Sequence, residues 1–294
     1  MSGFPDVVAP RGIDRIDASP SPSPWHPDLV PTDDLASFRT SPEAYDRLVG
    51  RYGPALAAAL VERAGVGPGA RVLDVGCGPG ALALVLSGVV GAAELVAAVD
   101  PSHSYAGACR VRVPGADVRV GTAEALPFEA ATFDAVFAQL VVNFMTDAAV
   151  GVAEMRRVAR PGAVVAATVW DYAGEMRLLR AFWDAAIDVA GERVHALDEG
   201  RRMQFCSPGE LGRLWRDAGL VDVEVSPVVV SAAYRDFDDL WGPLEVGVAP
   251  SGAFCVSLPP ERRAALRHRF TERLGSPDGP FQLEARAWAV LGRA

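Results

Sequence analysis

The chain has 294 residues, 50% of them hydrophobic and 22% charged, the make-up of a soluble globular protein with room for one decorated domain or two small ones. A net charge of −9 gives no overall attraction to nucleic acid or to an anionic membrane. All 28 basic side chains are arginine, which excludes Schiff-base lysines, lysine-bearing phosphate loops, kinase-type phosphate clamps and the Tyr-x-x-x-Lys pair of short-chain dehydrogenases.

Residues 1–40 differ from the rest. Pro20, Pro22, Pro24, Pro27 and Pro31 alternate with Ser and Asp, which predicts a weakly ordered arm, with Trp25 and His26 inside it. No apolar core of a signal peptide stands at the start. Helix signals begin at Ser41-Pro42-Glu43, where a capping residue, a proline and an acid follow one another. A second helix is expected over 54–63. From there strands are expected at 71–75, 94–100, 117–120, 133–139 and 163–170, with helices over 81–86, 104–110 and 147–159 between them. Residues 75–93 carry no charge and are long enough to cross a bilayer, but their five glycines and Pro79 predict a strand-to-helix turn instead of a membrane span. Pro161-Gly162 is expected to turn the chain into the fifth strand. Ser207-Pro208-Gly209-Glu210 reads as a capping box, and Leu211, Leu214, Trp215 and Ala218 give the apolar stripe of the helix behind it. Two last strands, over 221–230 and 281–291, are expected to pair antiparallel. Helical insertions are expected at about 171–206 and 235–276, the second ending in an arginine-rich helix with a solvated charged face. The alternation predicts an α/β fold, doubly wound, with a mostly parallel, seven-stranded Rossmann-like sheet, an antiparallel last strand and helical lid insertions. Its ligand belongs outside the carboxyl ends of the strands.

The segment from Val72 to Ala81, VLDVGCGPGA, carries the chemistry. Its glycines allow a tight turn and let a ligand approach bare backbone. Read as G-x-G-x-x-A, through Gly76, Gly78 and Ala81, it fits a dinucleotide fingerprint. Read as D-x-G-x-G-x-G, through Asp74, Gly76, Gly78 and Gly80, it resembles the first motif of the class I S-adenosylmethionine-dependent methyltransferases. Three neighbours favour the second template. Asp74 suits an ammonium and repels a pyrophosphate. Asp100 ends the next strand, where an acid accepts ribose hydroxyls. The run from Gly121 to Phe128, GTAEALPF, followed by Phe133-Asp134, resembles the adenine-side motif of the same enzymes, as does Arg160-Pro161-Gly162.

The resemblance covers residues 41–170 well and is nearest to small-molecule methyltransferases of the ubiquinone and menaquinone group. It implies a methyltransferase domain over 41–294 with S-adenosylmethionine as cofactor. Gly76, Gly78 and Gly80 would flank the methionine moiety near Asp74. Asp100 with Pro101 would hold the ribose, Thr122, Ala123 and Glu124 the adenine side, and Gln139 the region under the sulfonium. Thr122 stands where Asp or Asn is common, so backbone contacts are expected there.

Methyl transfer from a sulfonium needs positioning and a dry pocket first, and a general base only for a weak nucleophile. His26, His103, His195 and His268 are scattered. Asp171, after the fifth strand, is the single candidate base, with helix capping as its competing role. Tyr45, Phe144, Trp170 and Tyr172 are expected as acceptor-pocket walls, along with Met145, Met176, Trp183, Phe205 and Trp241. They point to a small apolar or aromatic acceptor. The pattern of amino-methylating enzymes after the fourth strand and the Asp-Asn pair of metal-dependent catechol sites are both missing, so no metal is expected. Cys77, Cys109, Cys206 and Cys255 are far apart in sequence, without zinc spacing, as for a cytoplasmic protein with free thiols. Two other readings stay open: an S-adenosylmethionine-binding protein of another reaction type, and an NAD(P)-dependent Rossmann oxidoreductase. The sequence leaves the oligomeric state undetermined.

Overall fold

The structure, a computed structural model, describes residues 42–294. The expected arm, with Trp25 and His26, lies outside the described residues, as does the capping residue Ser41. Seven strands form one sheet in the order β3-β2-β1-β4-β5-β7-β6. They are β1 (Val72–Val75), β2 (Val96–Asp100), β3 (Asp117–Val120), β4 (Phe133–Gln139), β5 (Ala159–Trp170), β6 (Val221–Tyr234) and β7 (Phe281–Arg293). β1 pairs parallel with β2 and β4, and further parallel pairs join β2 to β3 and β4 to β5. β7 runs antiparallel between β5 and β6, from Tyr234↔Phe281 to Val221↔Arg293 on the β6 side, so β6 is the sheet edge. β1 and β2 are buried at every position, as parallel strands covered by helices on both faces must be.

The helices are α1 (Pro42–Arg47), α2 (Gly53–Ala64), α3 (Ala81–Val90), α4 (His103–Arg112), α5 (Ala148–Val158), α6 (Arg177–Ala190), α7 (Glu199–Arg202), α8 (Pro208–Asp217), α9 (Phe237–Glu245), α10 (Ala249–Ser257) and α11 (Pro260–Arg273). Among the described residues no helix is long and apolar enough to cross a membrane. The uncharged stretch at 75–93 is the turn from β1 into α3. The capping box at α8 is present in altered form. Ser207 Oγ accepts the Glu210 amide at 3.4 Å and donates to Glu210 Oε2 at 2.8 Å.

Two local expectations change. Residues 93–95 form a 3-10 turn, and the second strand begins only at Val96. Pro161-Gly162 does not precede the fifth strand but lies within it. β4 meets β5 at Phe133↔Ala159 and next at Ala135↔Val164, so residues 160–163 bulge out of register. The bulge is tied down by Gly162 N–H donating to Ala294 O at 2.8 Å and by the Arg160–Asp134 ion pair.

The helices from the two expected insertion regions pack on each other. Phe182 of α6 meets Phe254 of α10 at 6.1 Å and Phe270 of α11 at 5.6 Å between ring centroids. Trp183 meets Phe254 at 5.5 Å, and Trp241 of α9 stacks on Phe237 at 6.2 Å. These edge-to-face and stacked pairs make an aromatic core for the insertions, beside the main sheet.

Candidate functional site

A cavity of about 540 Å³ opens at the carboxyl ends of β1, β2 and β4, where the strand order reverses between β1 and β4. A smaller pocket of about 50 Å³ shares the walls Gly76, Gly78, Gln139 and Tyr45 with it and reaches down to Asp74.

Each glycine of the loop is required for its own reason. A β-carbon on Gly76 would meet the Val141 side chain at 2.5 Å, so this glycine lets the two strand-end turns close on each other. Gly78 has φ +51° and open space where a side chain would stand, and it lines the cavity. Gly80 caps α3 and does not reach the cavity; a β-carbon there would meet Cys109 Sγ at 2.9 Å. The expected role of Gly80 beside a methionine moiety is therefore corrected to helix packing.

Asp74 is fully buried, and neither carboxyl oxygen has a hydrogen-bond partner of ordinary geometry. The Ala83 amide, in the first turn of α3, is the backbone donor that faces it. Burial pushes its carboxyl up to about 8, against the smaller opposing pull of that amide. The helix N-terminus that a pyrophosphate would occupy is thus filled by the protein's own carboxylate. Asp100 is buried too, and burial raises its carboxyl above the usual range. Its Oδ2 accepts the Gly78 amide at 2.8 Å and its Oδ1 the Ser102 amide at 2.8 Å. One lone pair on each oxygen remains for a diol. Gln139 donates through Nε2 to Gly53 O at 3.2 Å, while its buried Oε1 has no partner.

Pro101, Thr122, Ala123 and Glu124 all line the cavity. Glu124 does more than line it. Its Oε1 accepts the amides of Thr146 at 2.8 Å and Asp147 at 3.3 Å, fixing the loop between β4 and α5.

Tyr45, Phe144, Trp170 and Tyr172 line the cavity, with Met145 beside them. Trp170 is held edge-on by Tyr52 at 5.6 Å, and Tyr45 faces Tyr105 of α4 at 6.0 Å. Met176, Trp183, Phe205 and Trp241 are not among the walls. Trp183 and Trp241 belong to the insertions' own aromatic core, so helical spacing of aromatics there means packing. Asp171 does not line the cavity either. Its Oδ2 accepts Arg286 Nε at 2.8 Å and the Glu175 amide at 3.0 Å, so the carboxylate anchors β7 and the start of the first insertion. As candidate base it is withdrawn on this geometry.

Some walls escape sequence reasoning: Ser102, His103 and Tyr105 at the start of α4, Leu140 and Val141 after β4, Leu179, Glu199 and Ala249. The first three follow an acid at a strand end, a signal that was available. Leu140 and Ala249 carry φ of +62° and +61°, left-handed values at non-glycine residues that mark the cavity rim.

Residues 73–167 match a family model described as a methyltransferase domain. A ubiquinone biosynthesis O-methyltransferase of Methylocella silvestris is 35% identical over 181 residues, 59% of this chain and 64% of the relative's length. A demethylmenaquinone methyltransferase of Geobacillus kaustophilus is 29% identical over 59% of this chain and 80% of its own. The chain thus spans a little under two thirds of the first relative. The fold is similar to that of phosphoethanolamine N-methyltransferase 2 of Haemonchus contortus in complex with S-adenosyl-L-methionine, with a TM-score of 0.53, 18% identity and coverage of 86% of this chain and 56% of that one. Over residues 73–167 the chain thus matches a methyltransferase domain, and around it the chain is similar to quinone-pathway methyltransferases in sequence and to S-adenosylmethionine-dependent methyltransferases in fold.

Proposed function

We propose that the protein transfers the methyl group of S-adenosylmethionine to a small apolar or aromatic organic acceptor, with no nucleic acid among its substrates. The observation that carries this reading is Asp74: a buried carboxylate without a partner, placed at the N-terminus of α3 and open to a pocket that joins the main cavity. A cationic amine satisfies it by drawing off its proton and pairing with the carboxylate, whereas a dinucleotide pyrophosphate offers it no such partner. The orphaned Gln139 Oε1 and the open space at Gly78 fit the same ligand.

Asp74 and the Gly76–Gly78 turn would hold the methionine end, Asp100 the ribose, and Thr122 and Ala123 the adenine. The cofactor supplies an already activated methyl on a cationic sulfur. The chain's own task is orientation. The aromatic walls would orient the acceptor toward the activated methyl group and keep water out. Transfer of a labelled methyl from S-adenosylmethionine to phenols and quinols, with NADPH oxidation followed in parallel, tests the reading. Label in an organic product supports it; NADPH turnover without label refutes it.

A further inference from the structure

Tyr172 stands two residues past β5, in the cavity wall at the end lined by Phe144 and Trp170, with 4% of its surface exposed. Its backbone is held on both sides. Asp171, just before it, is tied to Arg286 and to the Glu175 amide. Gly200 of α7 backs onto the Tyr172 carbonyl so closely that a β-carbon there would lie 2.7 Å from its oxygen. The side chain is therefore carried on fixed backbone, with an apolar body and one polar tip.

That tip is a neutral donor. Burial pushes the Tyr172 hydroxyl well above its ordinary range, so it keeps its hydrogen. The Asn143 side chain donates to the hydroxyl oxygen, which opposes the effect of burial. Asn143 Nδ2 also lies 3.6 Å from Met203 Sδ, so the two amide hydrogens have separate destinations. With a donor already on its oxygen, the hydroxyl turns its own hydrogen away from Asn143. Among the described residues no further hydrogen bond engages this hydroxyl. The hydrogen is left for whatever fills the cavity.

The neighbouring walls Phe144, Met145, Trp170 and Leu179 offer it no strong acceptor. A hydrocarbon ring in this space would leave a buried donor unsatisfied. A protonated amine would bring more hydrogens and no lone pair. A carbonyl oxygen accepts one hydrogen and brings none, so it completes the wall.

Resting on the methyltransferase reading, we propose that Tyr172 selects an aromatic acceptor with a carbonyl oxygen at its ring edge, to which its hydroxyl donates. Apolar contact with the walls leaves the ring free to rotate in its own plane. One directional bond at the edge removes that freedom and decides which ring atom faces the methyl group. Tyr172 acts by orientation, and no proton changes hands.

The test uses 1-tetralone and tetralin, which share a bicyclic skeleton and differ by one carbonyl. Calorimetry measures their binding to the parent and to Tyr172→Phe, each saturated with S-adenosylhomocysteine. The variant should bind tetralone about tenfold more weakly, the loss of one hydrogen bond, and tetralin at least as tightly as the parent does. The carbonyl stretch of bound tetralone, read by infrared difference spectroscopy, should lie at lower frequency in the parent than in the variant. Equal losses for the two probes, no tetralone binding by the parent, an unchanged tetralone affinity, or one carbonyl frequency in both proteins would overturn the proposal. Should S-adenosylmethionine bind while no phenol or quinol gains label, the methyltransferase reading fails, and the tetralone–tetralin comparison still decides whether Tyr172 reads a carbonyl.

Discussion

The two ends of the cavity are built in different ways. The end proposed for the cofactor consists of the short turns after β1, β2, β3 and β4, where backbone amides, two buried aspartates and a glycine loop meet at fixed register. The end proposed for the acceptor is walled by side chains from α1, the loop after β4, the end of β5, and α6, α7 and α10, and it is mostly apolar, with four aromatic rings. Sheet geometry defines the first end, so few residue choices satisfy it. Helix packing defines the second, and many sequences could shape it differently without disturbing the sheet. A common cofactor with a variable acceptor is the expected consequence.

That contrast can be broken by experiment. The largest effect on cofactor binding is expected from Asp100→Ala, which loses the bonds to Gly78 and Ser102 as well as the proposed ribose contact. Two charged hydrogen bonds to the ribose hydroxyls, about 1.5 kcal/mol each, predict affinity for S-adenosylmethionine lower by about 100-fold. Calorimetry measures it, and an unchanged affinity would remove Asp100 from the site.

Asp74→Asn is expected to weaken binding by about tenfold, the loss of one charge contact, and to abolish a proton signature. Because the carboxyl of Asp74 sits near 8 in the free protein, a bound ammonium should force out a proton at pH 7. Binding enthalpies in two buffers of different ionisation heat should then reveal close to one proton released, and affinity should climb with pH until about 8. The sign for stability follows the raised value. The stabilisation from neutral Asp74 is complete below the unfolded carboxylate value near 4 and is lost as pH rises through 8. Asp74→Asn should accordingly raise Tm more at pH 8.5 than at pH 5.

At the other end, Phe144→Ala removes one aromatic wall. Burial of such a face is worth about 1.5 kcal/mol, so acceptor KM should rise about tenfold while cofactor affinity stays. A parallel loss of both would show that the two ends are not separable. Asp171→Ala should have the smallest functional effect. Loss of its bonds to Arg286 and Glu175 should cost about 2 kcal/mol of stability, seen as a lower Tm, with the rate of methyl transfer retained. A collapse of kcat at unchanged Tm would restore Asp171 as a base.

Legibility in the sequence followed the same division. The strand–helix alternation and the acids at the ends of β1 and β2 could be read because a parallel sheet forces ligands to its carboxyl edge. Gly80 was misplaced because a glycine that admits a ligand and one that admits Cys109 look alike in a motif. Trp183 and Trp241 were counted as pocket walls because helical spacing does not say which neighbour a ring faces. Glu199 left no signal at all: it enters the wall through tertiary packing, buried at the start of α7 with Trp183 of α6 donating to it.

The central claim, a cofactor end built for S-adenosylmethionine, is tested most directly by titrating that cofactor and NADPH into the parent protein and into Asp100→Ala. The account predicts one-site binding of S-adenosylmethionine with proton release, a loss of about 100-fold in the variant, and no heat from NADPH. Binding of NADPH, or equal affinity of parent and variant for S-adenosylmethionine, would contradict it.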